Sequence, residues 1–358
     1  MCEFIDSRNE TSVSQLKPVH TRLSLTCLLP WLLGLTVLGG CTTFTPSFTS
    51  PWNQRPDVQQ FIDEVSVKDN FNRDQLNLVF ADVQSDPAVL AAITKPAEGK
   101  PWVKYHAIFI QPKKIAEGRE FWNTYADDLQ RAEKIYGVSP SVIIAILDVE
   151  TEFGKHCGNY NTLNALSTLA FDYPPRSDFF KQELEQYLLL CREQHFDPKT
   201  LKASYAGALG LPQFMPSSYR QYAIDFDQHG QADLISNPHD AIGSIANYLK
   251  MKGWHTSEPV AMRAIVQGNN YLEATRPGKQ PTLTVAELRR YGIRPEHPLP
   301  ENTLAKFIPF EGANSTEYWL TFHNFYVITR YNNSILYAMA AHQLGQAIKA
   351  SRQTAMPT

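Results

Sequence analysis

One carboxylate in this sequence stands where a carboxylate is costly. Ile143, Ile146, Leu147 and Glu150 fall at i, i+3, i+4 and i+7, so Glu150 shares a helical face with three large aliphatics. Burial against apolar neighbours disfavours the charged form of a carboxyl and raises its pKa. A carboxyl that keeps its proton near neutral pH can serve as a general acid. The pattern alone leaves two plainer readings open: a glutamate emerging into solvent at the helix end, or one satisfied by backbone donors. Asp148 and Glu152 flank it. Residues two apart on a helix point roughly 160° away from each other, so neither can face Glu150 across a bound substrate. Asp172 is the nearest other candidate, and nothing in the sequence singles it out. Two-carboxylate acid–base chemistry therefore has no evident second partner, and one carboxylate must act as both acid and base.

A second group of oxygen donors follows. Asp225, Asp227 and Gly230 begin like an EF-hand loop, with carboxylates at positions one and three and glycine at six. Position five is His229, a poor ligand for a hard cation, and position twelve is Ser236 rather than glutamate.

The elements that must position these residues are mostly helical. The helix bearing Glu150 has clear punctuation: Ser139 as N-cap, Pro140 at the first helical position, an apolar body over 141–153, and Gly154 as the stop. Upstream, Val58, Phe61, Ile62 and Val65 recur at helical spacing, and Asn72 caps a second helix with Gln75 as reciprocal partner. Residues 101–112 read as an extended connection, and 116–135 as one long amphipathic helix ended by Gly137. Further helices are expected over 178–195, 217–225, 238–252 and 333–350. Between 258 and 310 prolines cluster (Pro277, Pro281, Pro295, Pro298, Pro300) and helical periodicity fades, which predicts a small, partly β insertion.

Of the 358 residues, 43% are hydrophobic and 19% charged, the balance of a globular chain rather than a disordered one. A net charge of -3 gives no push toward nucleic acid. The N-terminus is more decisive. Arg8, Lys17 and Arg22 precede an uncharged apolar run over 23–40, the shape of a secretory signal. That run ends in Leu38-Gly39-Gly40-Cys41, which resembles a bacterial lipobox, whose cysteine is acylated and becomes the mature N-terminus. The alternative is an uncleaved membrane anchor of about 18 residues, which Pro30 and the glycines make a poorer helix. Thr42 rather than aspartate after the cysteine points to the periplasmic side of the outer membrane, lipid-anchored. Residues 42–56 are rich in Ser, Thr and Pro, as a tether should be. Cys157 and Cys191 then remain in the mature part. An oxidising compartment allows them to pair, and two separately buried thiols fit equally well.

Several segments together are recognisable. Val149-Glu150-Thr151-Glu152-Phe153-Gly154 is followed by Gly207-Ala208-Leu209-Gly210-Leu211-Pro212-Gln213-Phe214-Met215-Pro216-Ser217-Ser218-Tyr219. Then come Asp240-Ala241-Ile242-Gly243-Ser244-Ile245-Ala246-Asn247-Tyr248 and Asn324-Phe325-Tyr326-Val327-Ile328-Thr329-Arg330-Tyr331-Asn332. In order and spacing, from about residue 57 to the C-terminus, these resemble the membrane-bound lytic murein transglycosylase B family.

The resemblance implies an α+β, mainly α protein with a lysozyme-like catalytic core, an additional helical domain and a small β insertion. Its expected boundaries are a signal peptide (1–40), a lipidated tether (41–56), a helical domain (57–136) joined by the C-terminal helix (333–350), the core (137–257), the insertion (258–320), and a cleft segment with that helix (321–358). It implies that the glutamate matching Glu150 cleaves the bond between N-acetylmuramic acid and N-acetylglucosamine in peptidoglycan strands without water, leaving 1,6-anhydro ends. Ser204 matches a serine that orients the carboxylate or the N-acetyl group. Gln213, Phe214, Tyr248, Tyr326 and Tyr331 match groove residues, and Arg176 a basic residue suited to peptide carboxylates, although Pro175 stands where a second arginine is frequent. Asp240 matches an aspartate that closes an atypical calcium loop with Asp225 and Asp227, making calcium a candidate structural ion; no organic cofactor is implied. Expected partners are the glycan strands, the membrane through the lipid, and other cell-wall enzymes. The rivals are a muramidase that uses water and a peptidoglycan-binding lipoprotein without catalysis.

Overall fold

Prolines open much of this fold, because the first helical position needs no N–H and wants the φ that proline fixes. In the computed structural model, which describes residues 51–95, 100–312 and 314–355, six helices start this way. The helices before the first strand are α1 (Pro56–Lys68), α2 (Arg73–Ala81), α3 (Pro87–Ile93), α4 (Trp102–Phe109), α5 (Pro112–Thr124), α6 (Ala126–Tyr136) and α7 (Pro140–Thr151). A two-residue strand, β1 (Tyr160–Asn161), leads to α8 (Thr162–Asp172) and α9 (Ser177–Glu193). Its partner β2 (Lys202–Ala203) precedes α10 (Pro216–Tyr222) and α11 (Pro238–Met251). The second sheet comprises β3 (Ala261–Val266), β4 (Leu283–Thr284), β5 (Ile293–Pro295), β6 (Leu304–Glu311) and β7 (Thr316–Thr321), with α12 (Val285–Arg290) between β4 and β5. The chain closes with α13 (His323–Tyr331) and α14 (Ile335–Ala355).

The five-stranded sheet runs β4-β6-β7-β3-β5 and every pairing is antiparallel. It has its own small core around Leu288, Ile293, Phe307 and Leu320. A much larger apolar cluster runs from Trp52 to Ile348 through the helices, and the Trp102 ring of α4 meets Phe310 of β6 at 4.8 Å. The protein is α+β and mainly α. Among the described residues no helix is long and apolar enough to cross a membrane. The leader, Cys41 and most of the tether lie outside the described residues. Cys157 and Cys191 are free thiols, not a disulfide.

The helix bearing Glu150 is wrapped on all sides: every residue of α7 is buried. One wall is α14, brought close where Gly345 faces the Ser141 carbonyl; a Cβ there would lie 2.5 Å from that oxygen. That close approach sets the relation between α7 and the far C-terminus.

The structure departs from expectation in four local places. Residues 102–109 form a helix rather than an extended connection, because Trp102, Tyr105 and Phe109 make one buried face and the flanking prolines serve as helix starts. The single helix expected over 116–135 breaks at Tyr125, which ends α5 and opens α6, its ring packed on Phe121 at 4.5 Å. Ser139 makes no side-chain cap and its hydroxyl meets that of Ser141 at 2.9 Å. Finally, α7 ends at Thr151, because Glu152 and Phe153 both adopt left-handed φ values ahead of Gly154. Asn72 does cap α2, accepting from the Gln75 N–H at 3.0 Å.

Candidate active site

Two carboxylates are buried on α7, and helix geometry sends them apart. Asp148 is 0% exposed and faces α5, where Lys114 Nζ donates to its Oδ1 at 3.2 Å. Glu150 is 5% exposed and faces α14, where the Tyr337 hydroxyl donates to its Oε1 at 2.8 Å. Glu152 also turns to Lys114, at 2.9 Å. Asp172 is held elsewhere, by Arg55 Nη1 at 2.8 Å and the Ser85 hydroxyl at 2.7 Å. Each carboxylate considered as a partner for Glu150 is thus committed to another group.

Tyr337 was not among the residues singled out from sequence. It is 1% exposed, and burial together with the neighbouring Glu150 raises its phenol pKa well above the ordinary value, so it remains a donor. The available signal was a tyrosine inside a buried helix face, whose hydroxyl must find a partner. Sequence alone could not say which one.

The ring of Tyr337 lies parallel to Tyr331, centroids 6.5 Å apart and 7° between planes. Tyr331 donates its hydroxyl to the Pro212 carbonyl at 2.5 Å and meets the edge of Tyr248 at 5.0 Å. Phe214 packs within 5.8 Å of both rings. At 3% and 7% exposure, Phe214 and Tyr248 back this aromatic wall rather than offering a free face, and the Tyr248 hydroxyl donates to the Arg330 carbonyl.

The loop over 204–214 is built on backbone that only certain residues tolerate. Gly210 has φ 66°, and a Cβ there would stand 2.0 Å from the Leu234 carbonyl oxygen. Gln213, also left-handed at φ 51°, donates Nε2 to the Gly210 carbonyl at 2.9 Å and the Cys157 carbonyl at 3.1 Å. The half-buried Ser204 accepts the Ala208 N–H on Oγ at 3.1 Å. Thr151 ties this loop to the end of α7 by donating to the Leu211 carbonyl at 2.9 Å.

Tyr326 lines a cleft of about 710 Å³ beside the sheet, with His255, His323, Gln280, Pro281 and Asn302 among its walls. Arg176 closes a 3-10 turn (Pro174–Arg176), its guanidinium over Phe179 at 4.4 Å and Phe180 at 5.2 Å.

Asp225, Asp227 and Asp240 converge: each offers a carboxylate oxygen within 4.8 Å of the others. Asp225 accepts the N–H groups of His229 and Gly230, at 2.9 and 2.7 Å, and Asp240 those of Phe226 and Asp233, at 2.7 and 2.8 Å. Asp227 Oδ1 is buried with no hydrogen-bond partner among the described residues. Three hard oxygen donors and an orphaned buried carboxylate oxygen suit a hard cation such as calcium. His229 sits 2.9 Å from Asp227, and Ser236 bonds Asp233 at 2.5 Å, so the two departures from the EF-hand pattern leave the carboxylate trio intact.

A buried carboxyl in the last turn of an apolar helix, met by the Tyr337 hydroxyl and near a glycine-shaped loop, is an arrangement suited to a general acid. Residues 53–346 match the family described as Transglycosylase SLT domain. The chain is 40% identical over 307 residues to Membrane-bound lytic murein transglycosylase B of Escherichia coli, covering 83% of this chain and 84% of that protein. The catenated lytic transglycosylase SltB1 of Pseudomonas aeruginosa superposes with a TM-score of 0.81 at 47% identity, over 84% of this chain and 99% of that one. The Escherichia coli lytic transglycosylase Slt35, solved in complex with calcium, gives a TM-score of 0.76 at 40% identity, over 84% and 95% of the two chains. This chain belongs to the SLT family of lytic murein transglycosylases, enzymes that cleave peptidoglycan.

Tyr337→Phe keeps the ring packing and deletes only the donor to Glu150. A hydrogen bond to a charged group contributes roughly 1.5–3 kcal/mol, so turnover on murein should fall at least about tenfold while the melting temperature moves little. Wild-type turnover in the folded variant would remove Tyr337 from the machinery.

Proposed function

We propose that Glu150 performs both proton transfers of a non-hydrolytic cleavage of the glycan strand. Its carboxyl first donates a proton to the oxygen linking N-acetylmuramic acid to N-acetylglucosamine, and that C–O bond breaks with the leaving sugar taking the proton. The muramoyl N-acetyl oxygen closes onto the anomeric carbon as an internal nucleophile. Glu150, now a carboxylate, then takes the proton from the sugar's own 6-hydroxyl as that oxygen displaces the N-acetyl group, giving a 1,6-anhydro end. No water is consumed, and the acid is regenerated. The observation that carries this reading is the separation of the carboxylates: Tyr337 addresses Glu150 alone, while Asp148 and Glu152 are bound to Lys114 and Asp172 to Arg55. A scheme whose nucleophiles belong to the substrate needs no second carboxylate.

The surroundings of the remaining candidate residues support roles in a glycan groove. Tyr326 faces an open cleft, where a ring can stack on a pyranose face. Ser204 and Gln213 sit on the loop that Thr151 ties to the end of the Glu150 helix. Tyr331, with Phe214 and Tyr248 behind it, forms the wall on the α14 side. Arg176 suits the carboxylates of the muramoyl peptide. The Leu38–Cys41 pattern and the membrane-bound relative support a lipid anchor on Cys41 that holds the enzyme at the periplasmic side of the outer membrane. Asp225, Asp227 and Asp240 would hold calcium, which would offset most of the charge of three converging carboxylates and tie the 225–227 loop to the first turn of α11.

Unreduced fragments released from sacculi should be anhydromuramoyl species, lighter by one water than reducing-end products on mass spectrometry. Reducing ends would make the enzyme a hydrolase. For the ion, calcium at about a hundredfold over Kd should stabilise by roughly 2.7 kcal/mol, raising the melting temperature by several degrees in wild type but not in Asp240→Asn. Equal shifts in both proteins, or none in wild type, would contradict the site.

A further inference from the structure

The helix carrying Glu150 ends one residue after it, and the exit is unusual. Glu152 (φ 50°) and Phe153 (φ 59°) are consecutive non-glycine residues in the left-handed region, followed by Gly154 (φ 90°). L-residues resist that conformation, so surrounding contacts must hold it. Beside the backbone bonds of the turn and a longer contact to His156, two side-chain holds come from α5, outside the lysozyme-like core. Phe121 stacks on Phe153, centroids 4.6 Å apart and 20° between planes. Lys114 Nζ bridges Glu152 Oε1 at 2.9 Å and Asp148 Oδ1 at 3.2 Å.

This ion cluster is costly to keep. Lys114 is 8% exposed and Asp148 0%, and Asp148 Oδ2 has no partner among the described residues. Burial pushes the Asp148 carboxyl up to about 6 against the pull of Lys114. Apolar residues of similar volume commonly replace such a buried pair without loss of stability. Among the described residues the cluster makes no hydrogen bond to Tyr337 or to the 204–214 loop, yet it holds the turn that reaches that loop. Thr151 accepts the Gly154 N–H at 3.0 Å while donating to Leu211, and Gln213 reaches the Cys157 carbonyl at 3.1 Å just beyond.

We propose that Lys114 is a positioning residue for the transglycosylase reaction: by gripping Asp148 and Glu152 it fixes the left-handed exit of α7 and so aims Glu150 at the scissile bond. The proposal rests on Glu150 being the reacting carboxyl.

Glu152→Gly separates positioning from folding, since glycine adopts φ 50° without strain while Lys114 loses its grip on the exit. With soluble murein glycan as substrate, the melting temperature should stay within a few degrees of wild type and KM within about twofold. The turnover number should fall about ten- to hundredfold, the scale of an ångström-level misplacement. Glu152→Gln, which keeps an oxygen for Lys114, should recover most of it. Lys114→Met combined with Glu152→Gly should cost clearly less than the product of the two single losses, as expected for two changes that break one contact. A folded Glu152→Gly enzyme with wild-type turnover would overturn the proposal and leave the cluster merely structural. A parallel Glu150→Gln control that stayed active would instead contradict the reading of Glu150 itself, which keeps the two failures distinguishable.

Discussion

The structure depends on one costly act: placing a carboxyl in the last turn of a helix that is buried along its whole length. A carboxyl there is tolerable only with a fixed donor or with its proton retained. The fold supplies the donor from far away. Tyr337 lies 187 residues on in sequence and arrives because α14 packs directly on α7, at a crossing close enough to exclude any side chain at Gly345. The C-terminal helix is therefore part of the site as much as of the scaffold.

The same helix shows how three acidic residues within five positions acquire different fates. Asp148 and Glu152 turn toward α5 and share the ammonium of Lys114, while Glu150 turns toward α14 and Tyr337. The roughly 160° between residues two apart accomplishes this sorting with no extra machinery. Its consequence is chemical. With its neighbours engaged by Lys114 on the opposite side, Glu150 is the one of the three that meets Tyr337, which is the arrangement that the proposed one-carboxylate mechanism needs. The sheet stands apart with its own small core, and contributes to the cleft that Tyr326 lines.

Sequence periodicity located Glu150 because its signal is local: four residues at helical spacing with one misfit. The groove segments were legible as motifs, and the predominance of helix followed from amphipathic runs and capping residues such as Asn72. What was illegible depends on distance or on unusual backbone. Tyr337 and Lys114 meet α7 across 187 and 34 residues, and no local pattern pairs them with it. The exit at Glu152 and Phe153 carries no glycine to mark it, so the helix was extended two residues too far. Residues 101–112 read as an extended connection, yet Pro101 and Pro112 both stand at helix starts and α4 lies between them. The motifs bring out Phe214 and Tyr248 as candidates, but nothing in the sequence shows their burial behind Tyr331.

The central claim is that one carboxylate carries the chemistry. The most direct measurement is the rate of murein cleavage by purified, folded Glu150→Gln beside Asp172→Asn. The account predicts background cleavage for the first and substantial activity for the second. Activity persisting in Glu150→Gln, or a background rate in a folded Asp172→Asn enzyme, would show that a second carboxylate shares the work.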